Sequence, residues 1–167
     1  GIVSSPNAAV TVTGTTAQAA DLSVVEGYTT ATVNALAVSL IEGTATEVLA
    51  AVDNQADTDT AANVAITLSN DGNGIAATMN AIDATTTGLV NATAYTTITG
   101  TVSAVLDAVN DQAQMDTAAN VALTLAAGTA TAADLNTLDA ATTGLVDAVA
   151  ITSITGTAAE LEDAIDD

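Results

Sequence analysis

The sequence predicts an α/β solenoid, and three observations predict it. Glycines recur at Gly14, Gly43, Gly72, Gly100, Gly128 and Gly156, 28 or 29 residues apart. A short Val/Ile/Thr-rich stretch precedes most of them, and an Ala-rich stretch with apolar residues three or four apart follows. Longer segments also repeat almost word for word. Asp59–Leu68 and Asp116–Leu125 match at nine of ten positions, 57 residues apart, and Asp83–Val90 matches Asp139–Val146 at a spacing of 56. A fixed period of this kind marks a stacked repeat architecture. The chain therefore reads as one array over residues 1–167, six units of about 28 residues paired into modules of about 57.

Each unit reads as strand, turn, helix and return loop. Val10–Thr13, Tyr95–Thr99 and Ile151–Thr155 are expected strands, because β-branched side chains pack well on a pleated surface. After the glycine, Thr44 with Glu47 and Thr157 with Glu160 carry the spacing of a capping box, and Thr131 with Asp134 a weaker version. In that motif Thr and Glu satisfy each other's orphan backbone N–H groups and start a helix. Two helix types then alternate. Val48 and Val52, Val105 and Val109, and Leu161 and Ile165 lie five and nine residues after their glycines. Met79 and Ile82, and Leu135 and Leu138, lie seven and ten residues after theirs; Leu22 and Val25 fit this second type with one residue inserted.

A single strand plus a short helix cannot bury its own apolar face, so the units must stack. Equivalent strands are expected to pair in parallel with the helices on the opposite side. At a strand spacing of about 4.8 Å, six units would span roughly 30 Å. An Ala-rich helical array and a β-only solenoid are the alternatives; the VTVTG, YTTITG and ITSITG stretches argue against the first. The chain starts at Gly1 and both ends look cut in mid-array, so a piece of a longer protein is expected, with Gly1–Ala9 as the only candidate cap.

Composition narrows the chemistry. There is no Lys, Arg, His, Cys, Trp or Phe, against 20 Asp and Glu, a formal charge of −20 and a pI near 4.1. Nucleic-acid binding needs basic residues to displace phosphate counterions, and so does a polybasic membrane contact. Both are excluded. High negative charge can signal disorder, but 49% of the residues are hydrophobic, mean hydropathy is +0.46, and the apolar positions are periodic. No apolar run approaches the ~18 residues of a membrane span. Counterions must come from solvent, so stability should rise with ionic strength.

Catalysis has little to work with. A Ser or Thr nucleophile needs a base such as His or Lys, and no carboxylate pair stands out for glycoside chemistry. The chain is not expected to be an enzyme, and no cofactor is implied beyond a possible role for Ca²⁺. Asp71 and Asn73 in the Ser69–Gly74 turn form a D-x-N fragment like the start of a calcium loop, without its remaining ligands. Asn and Gly there are equally turn formers. Asp53, Asp57 and Asp59, and their repeat partners Asp107, Asp111 and Asp116, have no complete loop spacing and read as solvated return loops. Asp83 and Asp139 are explained by capping or loop hydrogen bonds. Thr pairs such as Thr11/Thr13, Thr97/Thr99 and Thr129/Thr131 suggest the hydroxyl face of an ice-binding solenoid, although they do not share one register across all units.

The phrases TTITGTVSAVLDAV, TAADLNTLDAATTGLVDA and ITSITGTAAELEDAI resemble repeat regions of giant cell-surface or secreted proteins of marine cyanobacteria. The resemblance runs from about Val10 onward. It implies an extracellular structural or adhesive role, as a fibre or surface-layer subunit or an adhesin stalk, and transfers no catalytic residue. Self-association, neighbouring repeats of the same protein and divalent cations are the expected partners.

Overall fold

Strand pairing sets the period of this molecule. A computed structural model describes residues 7–53, 57–111 and 113–165. The first unit holds β1 (Val10–Thr11), β2 (Thr16–Gln18) and α1 (Ala19–Glu26). The second holds β3 (Val33–Ala35), β4 (Leu40–Gly43) and α2 (Ala45–Val52). The third holds β5 (Thr58–Thr60), β6 (Ala65–Leu68), β7 (Gly74–Ile75) and α3 (Ala76–Asp83). The fourth holds β8 (Val90–Asn91), β9 (Thr97–Gly100) and α4 (Val102–Asn110). The fifth holds β10 (Met115–Asp116), β11 (Ala122–Leu125), β12 (Gly128–Thr131) and α5 (Ala132–Ala141). The sixth holds β13 (Val146–Asp147), β14 (Ile151–Thr155) and α6 (Ala158–Ile165). The fold is α/β, with parallel sheets and six helices alternating with strands among the described residues. An all-helical array and a β-only array are thereby set aside.

The pairing differs from the expected one strand per 28-residue unit. Every strand pair is parallel and joins residues 23–25 positions apart, as in Val10 with Val33, Ile41 with Ile66 and Ile98 with Leu123. Helices start at alternating intervals of 26 and 30 or 31 residues. The third and fifth units absorb the excess by adding a strand, β7 or β12, between the strand that pairs backward and the helix. The sheets are therefore staggered: β1-β3-β5, then β2-β4-β6-β8-β10, then β7-β9-β11-β13, then β12-β14.

The regular glycines are accordingly not equivalent. At Gly43, Gly100 and Gly156 an added Cβ would come within 3.0 Å or less of the Cβ of Ala19, Ala76 and Ala132, each the first residue of the preceding helix. Close backbone approach requires glycine there. Gly72 instead has φ +134 in an open turn, and Gly128 has free space around it.

The helix starts follow the sequence. Thr44 N–H donates to Glu47 Oε2 at 2.9 Å while Glu47 N–H donates to Thr44 Oγ1 at 3.3 Å. Thr157 and Glu160 repeat this at 2.7 and 3.3 Å. At α5 only half the motif forms, from Asp134 N–H to Thr131 Oγ1 at 3.1 Å. These bonds draw the Glu47 and Glu160 carboxyls below the usual glutamate range, through the backbone N–H first and the Thr hydroxyl second. Each helix packs beside the next in chain order. Alternate strand residues point inward: Ile66 and Leu68 are buried while Ala65 and Thr67 are half-exposed. Val48, Val52, Val105, Val109, Met79, Ile82, Leu135 and Leu138 are all buried, as their periodicity predicts. Tyr95 is buried too, but lies just outside β9 instead of inside a strand. The lead-in expected to act as a cap falls largely outside the described residues.

Candidate functional site

The Ser69–Gly74 turn is built by its own amides. Asn70 Oδ1 accepts from Gly72 N–H at 2.9 Å, and Asn70 Nδ2 donates to the Ala94 carbonyl at 3.0 Å, tying the turn to the next unit. Asp71 is exposed and accepts from the Tyr95 hydroxyl at 3.1 Å. Burial of the phenol, then that hydrogen bond, pushes the Tyr95 pKa up to about 12. Asn73 is exposed. Asp53 follows α2 and is exposed, as is Asp57; Asp59 lies half-buried on β5. Among the described residues, no three acidic groups converge so as to hold a metal ion. Asp71 and Asn73 lie in the turn before β7, and Asp53, Asp57 and Asp59 run from the end of α2 into β5.

Carboxylates do approach one another elsewhere. A groove of about 380 Å³ between α3 and α4 is lined by Asn80, Asp83, Leu106, Asp107, Asn110 and Asp111. Asp83 Oδ1 is buried there without a hydrogen-bond partner. Its carboxyl is pushed above the usual aspartate range, by burial first and the Asp111 charge second. Glu26 is raised in the same order, by burial and then by Asp57. No basic side chain exists to neutralise any of them. Such groups destabilise the fold mildly at neutral pH, where they are charged.

The threonines do not form one hydroxyl face. Across the largest sheet the outward ladder reads Gln18, Glu42, Thr67, Asn91, Asp116. Across the next it reads Ile75, Thr99, Thr124, Asp147. Two adjacent threonines at most share a rung, between apolar and acidic neighbours.

Sequence reading missed the element that repeats most faithfully. Thr86 is buried, and its hydroxyl donates to the Val64 carbonyl at 2.6 Å while accepting from Gly88 N–H at 2.9 Å. Thr142 does the same with Val121 and Gly144 at 2.6 and 2.9 Å. Thr29 repeats it near the start, donating to the Ala8 carbonyl at 2.7 Å and accepting from Ala31 N–H at 3.0 Å. This clamp fastens the return loops after α1, α3 and α5 onto the segments that lead into β1, β6 and β11. Three turns at Asn34, Asn91 and Asp147 also recur, each side-chain oxygen accepting from the N–H two residues on at 3.0 or 3.1 Å. The identical T-T-G-L-V text at Thr86 and Thr142 was the available signal.

No protein-family description, curated protein or solved structure matches the chain. No helix among the described residues is long and apolar enough to cross a membrane.

Proposed function

We propose that the chain is a non-catalytic structural segment of an extracellular bacterial protein, an α/β solenoid acting as a fibre or surface-layer subunit or an adhesin stalk. The observation that carries this reading is the locality of its architecture. Strands pair only with strands 23–25 residues away, and each helix packs on its chain neighbours. Stability in such an array comes from each unit and its nearest-neighbour interfaces, so length can grow without a larger core. The features that recur from unit to unit are clamps, caps and turns that fix the spacing of units. Every charged side chain is acidic, which adds like-charge repulsion between copies and offers trypsin-like proteases no Lys or Arg. The resemblance to giant surface-protein repeats points the same way.

Small-angle X-ray scattering at a concentration where the chain is monomeric tests the shape. An elongated particle is expected, and a compact globular scattering profile would sink the reading. Thermal melts in Ca²⁺ and in Na⁺ at equal ionic strength test the role of calcium. A passive scaffold gives equal stabilisation, whereas a large excess for Ca²⁺ assigns the chain to calcium-dependent adhesion.

A further inference from the structure

The Ser69–Gly74 turn holds the dipeptides of this chain that close most readily to a cyclic succinimide. Asn73–Gly74 is the only Asn–Gly pair in the sequence, and Asp71–Gly72 the only Asp–Gly pair. Every other asparagine is followed by a residue whose Cβ crowds the backbone nitrogen that must attack; glycine has none. The two pairs are held differently. Asp71 Oδ1 accepts from the Tyr95 hydroxyl at 3.1 Å, and Gly72 N–H donates to Asn70 Oδ1 at 2.9 Å. Asn73 is exposed, and among the described residues no hydrogen bond holds its side-chain amide.

Packing fixes the glycine of the open pair. A Cβ on Gly74 would lie 3.0 Å from Met79 Sδ and 3.1 Å from Tyr95 Cγ. Counted back from the helix starts, Asn73–Gly74 corresponds to Thr16–Ala17 before α1 and Thr129–Ala130 before α5. The copy before α3 alone carries the reactive pair. Its restraint is small. β7 has 2 residues, against 3 in β2 and 4 in β12. It is an edge strand, hydrogen-bonded to β9. The Thr96 and Gly100 carbonyls accept from Ala122 and Ala126 N–H, so alternation along β9 turns Thr97 and Thr99 toward β7. With Gly74 in register with Ile98, its N–H faces the Thr97 carbonyl. That ladder bond is what shields the nitrogen, and a short edge strand opens at low cost.

We infer that Asn73 is the deamidation site of this protein and that its isoaspartyl product releases β7 from β9. When β7 opens, the Gly74 nitrogen gives its proton to solvent base and attacks Cγ of Asn73. The N–Cγ bond forms, the Cγ–Nδ2 bond breaks, and Nδ2 leaves as ammonia with a proton from water. Water then opens the ring. Addition at Cγ gives aspartate; addition at the Asn73 carbonyl carbon gives isoaspartate, whose main chain runs through Cβ and Cγ. Nothing is oxidised or reduced. Either product adds a negative charge to a chain already at −20. Isoaspartate also inserts a backbone carbon directly before both rungs of the strand, Gly74 with Ile98 and Ile75 with Thr99, and shifts them out of register. The chemistry is independent of the role proposed above.

The test holds the folded chain, and a urea-unfolded control, in warm and mildly alkaline buffer. Peptic mapping by mass locates the product, and methyl transfer from S-adenosylmethionine by an isoaspartyl methyltransferase measures isoaspartate. The expected result is aspartate and isoaspartate accumulating at residue 73 ahead of every other asparagine. The folded chain should react no more than about tenfold slower than the unfolded one, the factor that one opened hydrogen bond sets. Asn73→Gln, whose longer side chain closes a ring far more slowly, should lose the signal while keeping the fold. The isoaspartyl form, separated by chromatography, should melt below Asn73→Asp, which carries the same charge on an ordinary backbone. A folded chain that stays intact at residue 73 while the unfolded control reacts overturns the inference, as does another asparagine reacting as fast. Equal melting of the isoaspartyl form and Asn73→Asp overturns the release of β7.

Discussion

Replacing Thr86 by Val should destabilise the protein far more than a surface threonine change. Valine keeps the shape of threonine, so no cavity opens. The 2.6 Å bond to the Val64 carbonyl and the 2.9 Å bond from Gly88 N–H are lost, with a longer 3.3 Å bond to the Ala62 carbonyl, which keeps its bonds from Thr87. Thr86 is 6% exposed, so water replaces neither well. Leaving a buried polar group unsatisfied costs about 1–3 kcal/mol; two that share one hydroxyl should cost about 3 kcal/mol. For a chain of this size that lowers the melting temperature by roughly 6–12 °C. Circular dichroism melts of Thr86→Val, Thr142→Val and the double variant measure it. The two clamps share no residue, so their effects should add. Thr96→Val, exposed and outside the clamp, should stay within about 0.5 kcal/mol of the parent. A Thr86→Val melt within 1 or 2 °C of the parent (about half a kcal/mol) would refute the argument.

Gly88→Ala should cost about 1–3 kcal/mol, because its Cβ would meet the Val64 carbonyl and lie 2.6 Å from the Asn63 carbonyl; urea titration measures it. The equivalent residue in the first repeat is already alanine, Ala31, beside β1 with its open edge, so Gly88 tests whether a strand paired on both sides removes that tolerance. In Tyr28→Phe only Tyr95 remains, and its ionisation, followed by ultraviolet absorbance, should fall near 12 instead of the ordinary 10.0. The sign follows: a phenol raised in the fold contributes stability below pH 10 that is lost as pH climbs toward 12. At the acid end two effects oppose. The raised Asp83 and Glu26 bind protons more readily when folded, so stability rises as pH falls from neutral into their range. The lowered Glu47 and Glu160 then lose their capping contribution as pH falls further, through their folded values. Asp83→Asn should therefore be more stable than the parent at neutral pH and show a shallower acid rise; an unchanged pH profile would count against burial of that charge.

Local signals in the sequence were read where the physics is local. Thr44 with Glu47 and Thr157 with Glu160 lie within one helical turn of each other, and their hydrogen bonds need no distant partner. Val48, Val52, Val105 and Val109 reveal their buried face through spacing alone. The extra strands β7 and β12 were not legible, because Gly74–Ile75 becomes a strand only by lying beside Ile98–Thr99. The clamp was equally hidden: Thr86 in T-T-T-G looks like loop chemistry until Val64, 22 residues earlier, is placed against it. Asp71 reads either as part of a calcium-loop fragment or as turn chemistry, and the contact with the hydroxyl of Tyr95, 24 residues on, was not legible in the sequence.

The sequence by itself determined the class of object: a repeating, acidic α/β chain without Lys, Arg, His or Cys, with α2, α5 and α6 started by nearby threonines. Tertiary structure decided how the repeats engage. The strands pair at 23–25 residues although the text repeats at 28 and 57, and only the stagger that reconciles the two leaves a two-stranded and a three-stranded sheet at opposite ends. The physical reason is that capping and amphipathicity act within a few residues, whereas strand register is a choice among distant partners, made by which apolar faces bury together.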